Sequence, residues 1–117
     1  MSFSFLNAPK ENKELLMGDV VRVLSLLLGN LWFSELSSEL NSFKLTLGRP
    51  VAFSKEELNE SIKALIALNI VTARNGFRAT FNRPETDMLV GLINSNSLEA
   101  ALSFDADIRK YRMLSKF

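Results

Sequence analysis

Residues Phe53–Phe81 read FSKEELNESIKALIALNIVTARNGFRATF, and a change of period inside this stretch decides the fold. Ser54 takes the N-cap position of a helix, with Glu57 three residues on. This is the spacing at which each side chain satisfies an orphan amide of the first turn. Phe53 and Leu58 flank the cap as a hydrophobic staple. Leu58, Ile62, Leu65 and Ile66 then recur at helical steps, and Asn69 marks the stop. Beyond it the pattern alternates, and Asn75-Gly76 lies between Ile70–Arg74 and Phe77–Phe81. Asn-Gly suits both central positions of a type I′ turn, so the spacing predicts a tight hairpin with Arg74 opposite Phe77. On that register Ile70, Thr72, Phe77, Ala79 and Phe81 face a core, while Val71, Ala73, Arg78 and Thr80 face outward.

Working outward from this stretch, residues 1–8 read as an N-terminal arm that packs over its own core. A first helix starts near Pro9, where a missing amide is no loss, and runs to about Leu28. Leu16, Val20, Val23, Leu24 and Leu27 form its stripe. Leu15, Met17, Val21, Leu26 and Leu28 widen that stripe, which predicts burial on more than one side. Gly29-Asn30 supplies a left-handed stop. Leu31–Phe33 suits a minor strand. A second helix fits Ser34–Ser42 with Ser34 as N-cap, and Phe43–Ala52 reads as a loop or a short strand and turn. After the hairpin, Met88, Leu89, Leu92 and Ile93 predict a short helix from near Glu85. A final helix from Ser97 to about Leu114 follows a cap-rich break, Asn94-Ser95-Asn96-Ser97, with Asn96 and Glu99 at capping-box spacing.

The bulk composition excludes several function classes. The chain has 117 residues, 47% hydrophobic and 23% charged, with a net charge of +1. That is the size of one domain with a real core, and near-neutrality removes any whole-molecule electrostatic argument for nucleic acid or membrane. There is no Cys and no His. Disulfides, thiol chemistry and the usual catalytic triads therefore drop out, along with the commonest general base and metal ligand. No Ser-x-x-Lys spacing and no glycine-rich phosphate loop occurs. Asp105 and Asp107, two apart on a predicted helix, point about 200° apart and are poor co-ligands for one metal; they read as solvated surface. The chain is expected to be no enzyme and to carry no cofactor and no metal. Leu15–Leu28 is too short to span a bilayer and contains Asp19 and Arg22. No basic leader precedes an apolar run, so the expected location is cytoplasmic.

The order helix, short strand, helix, helix, hairpin, helix resembles the winged helix-turn-helix domain from roughly Pro9 to Ile93. Its best-matching motif is SKEELNESIKALIALNIV followed by TARNGFRATF, which resembles a recognition helix plus wing. The resemblance implies a mainly α fold with a small β-hairpin over residues 9–93. The C-terminal helix of residues 94–117 is then an addition, a dimerisation element with a basic end. It further implies a small DNA-binding protein of transcriptional-regulator type, often dimeric, that contacts double-stranded DNA. Lys55, Asn59 and Lys63 would face DNA from the helix, and Arg49 would clamp the backbone. Arg74, Arg78 and Arg83 of the wing would bind phosphate or enter the minor groove.

Two residue patterns keep a second reading open. The connection from Phe43 to Phe53 is far longer than a compact helix-turn-helix requires. The candidate recognition helix also carries Glu56, Glu57 and Glu60 early on its exposed side, where approach to phosphates makes unpaired acids costly. A protein-interaction module or subunit of a larger assembly, built on the same fold and without direct DNA contact, accommodates both. The convergence of Arg49, Arg74, Arg78 and Arg83 on one face separates the two readings.

Overall fold

The computed structural model describes residues 3–78 and 85–115. Six helices and three short strands follow one another as α1 (Ser4–Asn7), α2 (Asn12–Leu26), β1 (Asn30–Trp32), α3 (Phe33–Thr46), α4 (Lys55–Ala67), β2 (Val71–Arg78), β3 (Glu85–Leu92), α5 (Asn96–Ser103) and α6 (Ala106–Leu114). The fold is mainly helical, with one antiparallel sheet in the order β1-β3-β2.

Helix α2 is the central post, buried at every residue from Leu16 to Leu24. The capping box at α4 forms as its spacing demands. The Glu57 amide donates to Ser54 Oγ at 3.1 Å and the Ser54 amide to Glu57 Oε1 at 2.9 Å. Helices α2, α3 and α4 end alike. Leu28, Gly48 and Asn69 adopt φ of 67°, 72° and 59°. The next amide in each case returns to the helix, Gly29 to Leu24 O, Arg49 to Lys44 O and Ile70 to Leu65 O, at 2.7–2.9 Å. These are Schellman closures, which satisfy carbonyls the helix leaves orphaned. Gly29 is left-handed as expected, at φ 89°, and Leu28 before it is as well.

The expected turn at Asn75-Gly76 does not form. Neither residue has positive φ, and β2 runs straight through both, pairing Asn75 with Met88 and Gly76 with Asp87. The partner strand is residues 85–92, where a helix was expected. Met88, Leu89, Leu92 and Ile93 satisfy a helical period, but Met88, Val90 and Leu92 equally satisfy a period of two, and a short apolar run does not separate them. Tertiary packing decides: Val90 is fully buried, and Leu31, Ala73, Met88 and Leu92 pack beside it against the helical core. The face assignment reverses accordingly. Val71 and Ala73 turn inward and Thr72 outward, whereas Phe77 keeps the face of Val71 and Ala73 but lies beyond the core, 79% exposed. Ile70, just before the strand, is buried as expected. Ala79, Thr80 and Phe81 lie outside the described residues.

Glycines answer to this sheet rather than to a turn. A Cβ on Gly76 would meet Trp32 Cη2 at 3.3 Å, so the indole lies against the strand where the side chain is missing. A Cβ on Gly91 would run into Asn30 Oδ1 and press on Thr72 Oγ1, on the two flanking strands.

Two further elements differ from expectation. Helix α3 starts at Phe33 and continues to Thr46, so the alternation of Phe43, Leu45 and Leu47 is helical and the loop before α4 shortens. Its first turn is closed by the Trp32 amide donating to Glu35 Oε1 at 3.3 Å, with no cap from Ser34. The final helix is two helices. Ser95 Oγ accepts from the Leu98 amide, and Asp105 Oδ1 accepts from the Ile108 amide at 2.9 Å. Asp105 thus stops one helix and caps the next. Leu98, Leu102 and Ile108 join the core, as do Phe5 and Leu6 of the arm.

Gly91→Ala should lower stability by about 1–3 kcal/mol through overpacking between strands. Adding Asn30→Ala should recover most of that loss. Urea denaturation of the single and double variants checks it, and additive losses would refute the contact.

Candidate functional site

Six of the seven positions set aside for nucleic acid lie among the described residues, and they fall into separate environments. On α4, Lys55, Glu56, Glu60 and Lys63 are exposed and Asn59 is half-buried. Lys63 Nζ lies 3.6 Å from Glu60 Oε1, both side chains more than half exposed, so this pair is worth little to stability, and Glu60 offsets part of the Lys63 charge. Lys55, Glu56 and Asn59 line an open cavity of about 310 Å³ together with Phe33, Asp87 and Met88. The start of α4 thus faces the start of α3 and the middle of β3.

Residues of β2 and their β3 partners share faces in pairs. Arg74 and Arg78 therefore stand with Trp32, Leu89 and Asp87 on the sheet surface turned away from the core. Asp87 organises that surface. Its Oδ2 accepts from Ser34 Oγ at 2.6 Å and lies 3.6 Å from Arg78 Nε. Arg74 is exposed and makes no ion pair among the described residues. Arg83 lies outside the described residues.

Arg49 is elsewhere and is already engaged. Its Nη2 donates to Asp19 Oδ1 at 2.9 Å and lies 3.2 Å from Asp107 Oδ2, with its guanidinium 5.8 Å from the centre of the Phe43 ring. Asp19 is entirely out of solvent, and Lys44 Nζ and Arg22 Nη1 each reach it at 3.0 Å. Arg22 Nε donates to both oxygens of Asp105 at 3.0 Å, and Nη2 donates to the Leu6 carbonyl at 2.9 Å. Three acids and three bases close one network from α1 through α2 and α3 to α6. Asp105 is consequently buried and Asp107 only about one-third exposed, against the expectation of two solvated carboxylates. Lys44 is buried as well, since helix α3 carries it inward instead of leaving it on a loop.

The structure therefore joins Lys55 with Asn59, and Arg74 with Arg78, while Arg49 belongs to the buried network. Sequence reasoning missed Asp87, Phe33 and Met88 on the surface, and Asp19, Arg22 and Asp105 inside. One signal for the inner set was legible. Asp19 and Arg22 stand three apart in the most apolar helix of the chain, and charges so placed must pair to be buried. Nothing comparable marks Asp87, whose role depends on a strand register. Among the described residues no cluster of three metal-ligating side chains occurs, and no helix is long and apolar enough to cross a membrane. Comparison with protein-family models, curated proteins and solved structures finds no match.

Asp19→Ala should cost about 3–5 kcal/mol, because it leaves Arg22 and Lys44 buried without their shared carboxylate. Asp107→Ala, at the solvated end of the same network, should cost about 1 kcal/mol or less. Chemical denaturation of both variants measures the contrast; equal losses would remove Asp19 from its central position.

Proposed function

We propose that this chain is a protein-interaction module of winged-helix type, a docking subunit of a larger assembly, and not a reader of DNA sequence. The order of helices and strands, with α4 preceding the two long strands, supports the resemblance to that domain. The observation that carries the functional choice is the pairing of the bases. Arg49 is held by Asp19 and Asp107, Lys63 lies beside Glu60, and Arg78 lies beside Asp87. A nucleic-acid surface gains affinity from cations that neutralise phosphates and release counterions, and cations already matched within the chain contribute little to that gain. Glu56 and Glu60 on the exposed side of α4 oppose a phosphate row directly. The open cavity between α4 and β3 instead joins apolar Phe33 and Met88 to both signs of charge, a mixture that suits a protein partner.

One observation favours the other reading, in which the chain binds duplex DNA. Lys55 and Asn59 are neighbours on α4, and Arg74 is an exposed base on the hairpin without an ion pair among the described residues. That mode would rest on few phosphate contacts.

Fluorescence anisotropy of a labelled random-sequence duplex separates the two. Under the interaction reading, no binding is expected at about 10 μM protein and about 50 mM salt, since on the surface of α4 and β2 only Lys55 and Arg74 lack an ion pair among the described residues. Micromolar binding that weakens steeply toward about 200 mM salt would overturn it and restore the DNA reading.

A further inference from the structure

We propose that the open edge of β2 takes up an extended segment of a partner protein as a fourth strand of the sheet, a segment acidic on one face and apolar on the other. This deepens the interaction reading and rests on it. β2 is an edge strand: among the described residues it pairs with β3 alone, whereas β3 is flanked on both sides. The other edge, β1, spans only Asn30–Trp32, too short to template much pairing.

Two backbone bonds determine which groups of β2 face outward. The Ile93 amide donates to Ile70 O at 2.9 Å, which makes residues 70 and 93 a bonded pair of the antiparallel ladder. Bonded and non-bonded pairs alternate along such a ladder. Thr72, Arg74, Gly76 and Arg78 therefore direct their amides and carbonyls to β3, and Val71, Ala73, Asn75 and Phe77 direct theirs to the open edge. The bond from the Leu92 amide to Gly29 O at 2.7 Å independently requires the same alternation on β3, with Leu92 turned toward β1. Asn75 and Phe77 are exposed, so the outward groups near them are open to solvent.

Side chains on the two faces of this edge specify the occupant. Arg74 and Arg78 share the outer face four residues apart, about 13 Å along the strand. An added strand carrying acids at the same spacing would pair with Arg74 and share Arg78 with Asp87. On the inner face, Phe77 presents an almost bare aromatic ring at 79% exposure, and a β-branched residue on the incoming strand would cover it. Edges that proteins leave inert are short or blunted by charge or Pro. β2 is eight residues long and carries an exposed Phe77, and its charges, Arg74 and Arg78, repel a basic strand but not an acidic one. The arginines also argue against a second copy of this chain. Antiparallel self-pairing through the outward groups sets Arg74 directly opposite or diagonal to Arg74 or Arg78 of the copy in each central register, where like charges repel.

The test uses the full chain, ¹⁵N-labelled, and a peptide of about nine residues alternating Glu and Val, long enough to cover the edge. A control peptide has the same composition with Glu and Val in separate blocks. Addition of the alternating peptide should slow amide exchange at Ala73, Asn75 and Phe77 and leave Thr72, Arg74 and Gly76, already bonded to β3, nearly unchanged. Asn75→Pro deletes an outward donor without deleting a ladder bond and should abolish binding. Arg74→Glu, which leaves the backbone untouched, should weaken binding roughly tenfold by turning an attraction into a repulsion. Equal binding of the block peptide, or protection centred on Lys55–Asn59, would overturn strand addition. So would protection of the three outward amides by the protein's own self-association without peptide. Failure of the peptide together with no duplex binding refutes the open edge alone; duplex binding in the same buffer refutes the interaction reading beneath it.

Discussion

The Asp19 carboxylate is the constraint on which the rest of the structure depends. It has no contact with solvent and accepts from Arg22, Lys44 and Arg49, which come from α2 itself, α3 and the following loop. A carboxylate stripped of water is costly unless every lone pair finds a donor. Here the donors come from three segments, so the ion cannot be satisfied until those segments have docked. Arg22 extends the same condition to the two ends of the chain by bonding Leu6 O and Asp105. A hydrophobic core alone tolerates slippage of one helix on another; a network of fixed forks and carboxylates does not. The arrangement specifies how α1 and α6 sit on α2 more than it adds net stability.

That inner network also shapes the surface. Arg49 and Lys44 look available in the sequence because both stand near a loop, yet they spend their charge on Asp19. With Arg78 beside Asp87 and Lys63 beside Glu60, only Lys55 and Arg74 stay without an ion pair among the described residues on the surface of α4 and β2, while Lys10, Lys13, Arg109, Lys110 and Arg112 stand exposed on other elements. The proposal of a protein partner follows from this distribution of charge, because the same residue count with unmatched bases would favour phosphate.

The sheet is asymmetric in a way that bears on the same proposal. Its inner face is spent on the core through Leu31, Val71, Ala73 and Val90. Its outer face carries Trp32 against Gly76, and the close approach of Asn30 and Thr72 over Gly91. Those contacts tie β1 to β2 across β3 while leaving β2 hydrogen-bonded to a strand on one side. A strand held firmly in register by its neighbour but open on its far edge is a preorganised template, and preorganisation reduces the ordering cost of binding.

Local chemistry was legible in the sequence wherever the deciding partner lay within a few residues. The Ser54–Glu57 box, the α4 stripe of Leu58, Ile62 and Leu65, the stop at Asn69 and the burial of α2 from Leu16 to Leu24 depend on spacings of three or four along one helix, and spacing is what a sequence displays. Ile66, Leu27 and Leu28, expected in the same stripes, are exposed because each lies past the part of its helix that meets the core. The hairpin was misread because its deciding partners are distant. Asn75-Gly76 allows a turn but does not require one, and the burial of Val90 beside Ala73 outweighs that local preference. Met88–Leu92 fits two periods, and only the sheet selects between them. The fates of Arg49, Lys44, Asp105 and Asp107 were likewise undetermined by the sequence. A charge is surface or core according to whether an opposite charge from another segment arrives beside it, and Arg22 meets Asp105 across 83 residues of chain. Secondary structure near the caps was therefore a property of the sequence. Register, face and charge pairing were decided by tertiary structure, because each is settled by the free energy of burying groups that lie far apart in the chain.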